Sequence, residues 1–408
     1  MNLAALSVAA LVLAIIVSCF SRLNVGVLAL ALAWIVGVLA GGMKVDAVLS
    51  GFPAPLFITL AGMTMLFTGA EQNGTLQGWA QRAVRLCRGN KFLVPPMFFA
   101  LAALLASVGP GNISTAALVA PMAMSAASRA SIPPFLMAIM VGNGANSGSL
   151  SPLAPTGIIV SGLMQKIGLG GHEIYTWIAC LLGHAAVGFG GYLLFGGLKL
   201  LGHRWEGDDA GTPFERQHWL TTGVIAALIL AVIVWKVHVG FAALTAVTLL
   251  VLLGAVELDA TLRKMPWSVI VMVCGVTVLI ALLEKTNGLT LFTDLLARIA
   301  NQHNLTGVVA FVTGIISVYS STSGVVLPAF LPTVPGLIER MGGGNPLAVA
   351  TAMNVGSHLV DVSPLSTIGA LCISGVSDPA AARALFHKLL IWGLAMSVVG
   401  ALGCWLLL

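Results

Sequence analysis

The chain has 408 residues, 58% of them hydrophobic and only 8% charged, with a formal net charge of +5. Soluble domains carry roughly 25% charged residues, so this balance excludes a water-soluble globular fold. Apolar runs long enough to cross a hydrocarbon core about 30 Å thick recur along the whole length, which reads as an all-α integral membrane protein with no nucleic-acid partner.

The first run, Leu3 to Phe20, has no basic residue before it and no small-residue cleavage site after it, so it reads as a retained helix. Helices are predicted over 24–42 and 54–70. An amphipathic piece follows from Thr75 to Arg88, with Arg82, Arg85 and Cys87 set among Trp79 and Leu86, a pattern suited to the membrane interface. The segment from Phe92 to Ser128 carries Val108-Gly-Pro-Gly-Asn112-Ile-Ser114-Thr115 at its middle. Two short apolar arms around a Gly-Pro-Gly tip predict a re-entrant hairpin over 92–128, entering and leaving on one face. A broken helix over 134–165 and a helix over 175–201 complete the first half.

The most polar connection, residues 206–218, separates this half from a second of the same order. Its predicted elements are helices at 219–236, 238–256 and 267–283, an amphipathic piece at 289–302, a hairpin at 305–339, a broken helix at 345–375 and a helix at 383–407. Landmarks recur in register: Pro53 with Pro266, Gly62 with Gly275, Glu71 with Glu284, Ser114-Thr115 with Ser321-Thr322, and Pro121 with Pro328. The domain organisation is therefore a first repeat over 1–205 and a second over 219–408. Each repeat contributes five transmembrane helices, a re-entrant hairpin and a broken, unwound helix. An odd number of crossings per repeat starts the second on the opposite face, so the repeats are inverted. Most of the Lys and Arg, among them Arg22, Arg82, Arg85, Arg88, Arg129, Arg204 and Arg216, fall on the face holding the base of the first hairpin. Lys44, Lys166, Lys236, Lys285, Arg298 and Arg340 fall on the other. Cytoplasmic loops carry the basic excess, which puts both termini outside a bacterial inner membrane.

The breaks read almost alike: Gly144-Ala-Asn146-Ser-Gly-Ser149-Leu-Ser151-Pro152 and Gly356-Ser-His358-Leu-Val-Asp361-Val-Ser363-Pro364. In each, Ser is expected to cap a new helix and Pro to occupy its first turn. Unwound backbone in hydrocarbon survives only against a cavity or a bound polar species, and paired broken helices point to a transporter's binding site. Free helix N-termini favour an anion, and exposed carbonyls and hydroxyls suit a hard cation. The candidate substrate contacts are Asn112, Ser114, Thr115, Asn146, Ser149, Thr156, Ser321, Thr322, Ser323, His358 and Thr367. The candidate groups for a coupling cation, Na⁺ or H⁺, are Asn112, Ser114, Gly144, Ser321, Gly356 and Asp361. Asp361 is an intramembrane acid, functional by default, with helix capping as its rival role. His358 is the one side chain there able to add positive charge. His184 reads as structural, Glu71 and Glu284 as interfacial, and the six scattered cysteines as core residues without metal-ligand spacing.

Paired Ser/Thr-tipped hairpins, each followed by a broken helix rich in Gly, Ser and Pro, resemble the divalent anion:sodium symporters of the ion transporter superfamily. The stretch from Arg22-Leu-Asn-Val-Gly through Gly109-Pro-Gly-Asn-Ile-Ser-Thr and Gly142-Asn-Gly-Ala-Asn-Ser-Gly looks more particularly like the malonate and dicarboxylate carrier branch. The resemblance implies an elevator-type carrier, a homodimer, moving di- or tricarboxylates with Na⁺. The family's Ser-Asn-Thr tips would map to Ile113-Ser114-Thr115, or Asn112 nearby, and to Ser320-Ser321-Thr322, and neither copy is intact. The function expected is cation-coupled symport of a small organic dianion, without enzymatic activity and without a cofactor. The alternative is an inorganic ion exchanger with Asp361 as its proton carrier.

Overall fold

The computed structural model describes residues 2–21, 23–85, 90–204, 213–376 and 378–408. The expectations for Arg22, Leu86, Cys87 and Arg88 and for most of the connection between the halves lie outside these residues, as do those for the side chains of Cys19 and Arg85. Among the described residues the protein is helical throughout, apart from one isolated bridge between Asn90 and Arg204. Among the described residues five helices are long and apolar enough to cross a membrane: Ala54–Gln72, Glu173–Leu194, Trp267–Lys285, Thr322–Arg340 and Pro379–Leu407. Leu182, Leu194, Leu252, Ile391 and Leu407 are all more than half exposed, an apolar surface that suits lipid and not water. This is a multi-pass membrane protein.

The order of elements in the second half follows that in the first. Leu3–Phe20, Val25–Trp34 with its π-turn Ile35–Ala40, Ala54–Gln72, Thr75–Arg85, Val94–Val108, Gly111–Arg129, Pro134–Ser147, Pro155–Lys166 and Glu173–Leu194 make up the first series. Their counterparts run from Arg216–Trp235 to Pro379–Leu407. Helices pack across the halves as well as within them. Val25–Trp34 lies along Trp267–Lys285, and Ala54–Gln72 lies along Val239–Leu252. Glycines allow both crossings. A Cβ on Gly26 would sit 2.2 Å from the Val271 carbonyl oxygen, and one on Gly62 would sit 2.4 Å from that of Gly240. Small residues at such contacts are how membrane helices gain packing, since lipid gives no hydrophobic drive between them. Thr75–Arg85 docks on the second half: the Trp79 indole donates to Thr222 at 3.1 Å, and the Arg82 guanidinium lies 3.6 Å above the Phe214 ring.

A second set of helices forms an inner group. Val94–Val108, Pro134–Ser147 and Glu173–Leu194 pack together, as do Leu305–Tyr319, Pro346–Leu359 and Pro379–Leu407. The two broken helices are at the centre, with every residue of 136–147 and 348–359 buried. Gly144 meets the backbone of Phe99, and Gly356 meets Ala310. These two glycines, expected to offer carbonyls to a cation, let each broken helix approach closely the arm beside it.

The predicted start of the restarted helices is corrected. Helix resumes at Pro155 and at Thr367, several residues after Ser151-Pro152 and Ser363-Pro364. Ser151 donates to the Ser107 carbonyl at 2.6 Å, and the first restarted helix has no side-chain cap. In the second it is Ser366 whose hydroxyl accepts from Gly369 N at 3.3 Å. The reason is backbone folding within the turn. A Cβ on Gly157 would lie 1.9 Å from the Ser151 carbonyl oxygen and one on Gly369 2.0 Å from that of Ser363, so each Ser-Pro turn curls back over the first turn of the new helix. The other departure is in the second arm of the second helix pair. Thr322–Arg340 has the length of a span, although it is a chain of π, α and 3₁₀ pieces. Pro328, Pro332 and Pro335 remove the donors that a continuous α-helical ladder would need.

Candidate functional site

Each helix pair is held open at its tip by a specific local device. In the first, Gly109 (φ +152°) and Gly111 (φ +76°) flank Pro110, and both angles exclude ordinary side chains. A Cβ on Gly109 would strike the Phe67 ring, and one on Gly111 would meet Pro155. The tip is thus wedged between the outer helix Ala54–Gln72 and the restart of the first broken helix. In the second pair, Leu305–Tyr319 runs out into extended backbone at Ser320 and Ser321, and the Ser321 hydroxyl accepts from Gly324 N at 3.1 Å.

Both tips bind to the break beside them through side chains. The Asn112 amide donates to Asn146 Oδ1 at 2.8 Å. Thr322 Oγ1 lies 2.8 Å from both carboxyl oxygens of Asp361, beside the Ser317 hydroxyl and 3.4 Å from the Ser357 carbonyl. Asp361 therefore does not cap the restarted helix. It spans from the second break to the second tip.

One cavity of about 400 Å³ opens on this side of the molecule, a volume in the range of small-molecule sites. Of the residues singled out from the sequence, Asn112, Ser321, Thr322, Ser323, His358, Asp361 and Thr367 line it. Among the described residues no Lys or Arg does, and Asp361 is the one acid. The N-terminus of the helix Thr367–Ser374 also lies in the wall, a partial positive charge suited to an anion. His358 is wholly buried there. Its Nδ1 is 2.7 Å from the Asn354 carbonyl, which can only accept, so Nδ1 carries the hydrogen. Nε2 is buried and has no protein partner among the described residues. An imidazolium would donate from it to a carboxylate, and the neutral ring would accept from a bridging water.

The remaining candidates lie outside that wall. Ser149 donates to the Asn146 carbonyl at 2.7 Å, and Thr156 is buried at the first restart. Thr115 is buried with an unpartnered hydroxyl, and Ser114 is half-buried. Asn146 receives Asn112 on one side while its own amide nitrogen has no partner. His184, read as structural, holds Asn143 Oδ1 at 2.8 Å in the core. Glu71 and Glu284 end their helices at intermediate and exposed positions. Cys180, Cys274, Cys372 and Cys404 are buried free thiols.

Sequence reasoning missed a whole wall. Asn24 and Ser268 line the cavity from the starts of the outer helices Val25–Trp34 and Trp267–Lys285, and Ser21 from the C-terminal end of Leu3–Phe20, with Tyr319 and Ser366 on the inner side. In sequence these residues look like ordinary helix ends beside apolar runs, and nothing in their spacing says that two helices from different halves begin side by side. A comparison with curated proteins found no match to the chain. Residues 1–149 match the family described as the dicarboxylate carrier protein MatC N-terminus.

Proposed function

We propose that the protein is a secondary active carrier that takes up a small organic dianion, such as malonate or a C4-dicarboxylate, by cation-coupled symport. The observation that carries this reading is the cavity at the second tip and second break, where hydroxyls, a helix N-terminus and His358 meet one buried acid, with no Lys or Arg among the described lining residues. A dianion held by dipoles and hydroxyls beside Asp361 needs a neutralising partner, and Na⁺ or H⁺ at the Thr322–Asp361 cluster supplies it. Asn112, Ser321, Ser323 and Thr367 complete the substrate contacts from the same wall. Ser114, Thr115, Asn146, Ser149 and Thr156 serve the substrate or its coupling ion from the first half.

The two helix groups support an elevator motion, with the inner group carrying the site past the outer one. The repeated order of elements and the matched Gly26 and Gly62 crossings support inverted repeats with re-entrant tips. The distribution of Lys and Arg supports both termini outside a bacterial inner membrane, and the family resemblance supports a homodimer. The test is uptake of labelled malonate and succinate into proteoliposomes under imposed Na⁺ and pH gradients. Gradient-dependent accumulation is expected, and uptake of no carboxylate above that of protein-free vesicles overturns the reading.

A further inference from the structure

The cavity has two polar walls belonging to different helix groups. The inner wall holds Thr322, Ser323, His358, Asp361 and Thr367, and the outer wall holds Ser21, Asn24 and Ser268. The outer wall is built for donating hydrogen bonds. Asn24 Oδ1 accepts from Gly26 N at 2.9 Å, which fixes the amide and turns its nitrogen toward the Ser268 carbonyl at 2.8 Å and the Ser268 hydroxyl at 3.0 Å. Ser268 Oγ is thereby occupied as an acceptor, and its own hydrogen has no acceptor among the described residues. Ser21 Oγ is in the same state, accepting from Leu23 N at 3.0 Å. Ser21 and Ser268 are both exposed, so two hydroxyl hydrogens are open to water or to a ligand.

The starts of Val25–Trp34 and Trp267–Lys285 bring two positive ends to the same wall, against one negative end at Ser21, the C-cap of Leu3–Phe20. Gly26 packs directly on Val271 and Met272, so the two starts are held as one rigid unit. The outer wall contains no acid, whereas the inner wall contains Asp361. An independent sign of a ligand comes from the inner wall, where Nε2 of the fully buried His358 lacks a partner.

We propose that Ser21, Asn24 and Ser268 form a second carboxylate subsite, so that a bound dianion bridges the two helix groups and the cavity selects dianions over monoanions. One carboxylate lies against His358 and the start of the helix Thr367–Ser374. The other points away from Asp361 and receives the Ser268 and Ser21 hydroxyls. The inference rests on the carrier reading above and adds to it the basis of charge selectivity. It also makes the outer helix group a binding partner and not only a support, because release of the second carboxylate must accompany any movement of the inner group.

The test is counterflow of labelled malonate in proteoliposomes of the full chain, with unlabelled malonate or its monomethyl ester as competitor at one pH. In the unmodified protein malonate competes better than the half-ester. Ser268→Ala and Ser21→Ala each weaken competition by malonate roughly tenfold, as expected for a lost hydrogen bond to a charged group, and leave competition by the half-ester within about twofold. Ser268→Thr, which keeps the hydroxyl, retains the preference. Equal losses for both competitors, or an unchanged preference in both alanine variants, overturn the subsite. Malonate counterflow that survives with its preference intact in both variants removes the subsite alone, whereas no carboxylate counterflow in the unmodified protein removes the carrier reading and the subsite together.

Discussion

The clamp between the second tip and the second break can be measured by a double-mutant cycle on Thr322 and Asp361. Thr322→Val keeps the shape of the side chain, so no cavity forms, but removes the hydroxyl that lies 2.8 Å from both carboxyl oxygens. Asp361 has no other side-chain partner among the described residues. A hydrogen bond contributes about 0.5–1.5 kcal/mol, and a buried carboxyl left without one adds about 1–3 kcal/mol of desolvation to the loss. The single substitution is expected to lower the melting midpoint in mild detergent by roughly 5 °C. Asp361→Asn keeps an acceptor and supplies two hydrogens to a cluster crowded with oxygens, including those of Ser317 and Ser357, so alone it costs little. Introduced into the Asn variant, Thr322→Val should be milder, with a coupling energy of about 1–2 kcal/mol. Additive single effects, or a Thr322→Val protein as stable as the unmodified one, would refute the clamp. If the proposed transport holds, Asp361→Asn is expected to keep exchange weaker than that of the unmodified protein and to lose gradient-driven accumulation.

The first tip offers a neutral counterpart. Asn112→Ala leaves the buried Asn146 amide with neither end paired through its side chain, costing about 1–3 kcal/mol in the same melting assay, while Asn112→Gln loses less. At the crossings between halves, Gly26→Ala and Gly275→Ala each force a Cβ to 2.2 Å from a backbone oxygen and should abolish a monodisperse peak on size exclusion. Overpacking of that kind costs about 1–3 kcal/mol or more, whereas Gly162→Ala, facing open space within a helix, is expected to stabilise by about 0.5–1 kcal/mol. In the breaks, Gly157→Ala and Gly369→Ala bring a Cβ to 1.9 and 2.0 Å from the Ser151 and Ser363 carbonyls. Loss of carboxylate uptake by protein that still reaches the membrane is the expected result, and normal uptake would show that the turns are free to open.

The helical character of this chain, its place in a membrane and most of its helix positions were legible in one dimension. Runs such as Leu3–Phe20 and Ala54–Gln72 are apolar on every side, and Gly-Pro-Gly or Asn-Gly turns punctuate them, so local chemistry alone bounds the elements. The two breaks were legible for the same reason, because Gly, Ser and Pro cluster in both. Where helix resumes was not: the turns curl over Gly157 and Gly369 through backbone contacts that no propensity records. The tertiary structure also decided which polar residues share a cavity. Asp361, His358 and Thr322 could be suspected individually, since acids, imidazoles and hydroxyls in apolar runs are conspicuous, but their meeting depends on how the tip folds back on the break. Ser21, Asn24 and Ser268 were invisible as a group because they lie at the ends of three helices drawn from opposite halves. Sequence records the character of each helix start, and only packing between Gly26 and Val271 brings the two starts to one wall.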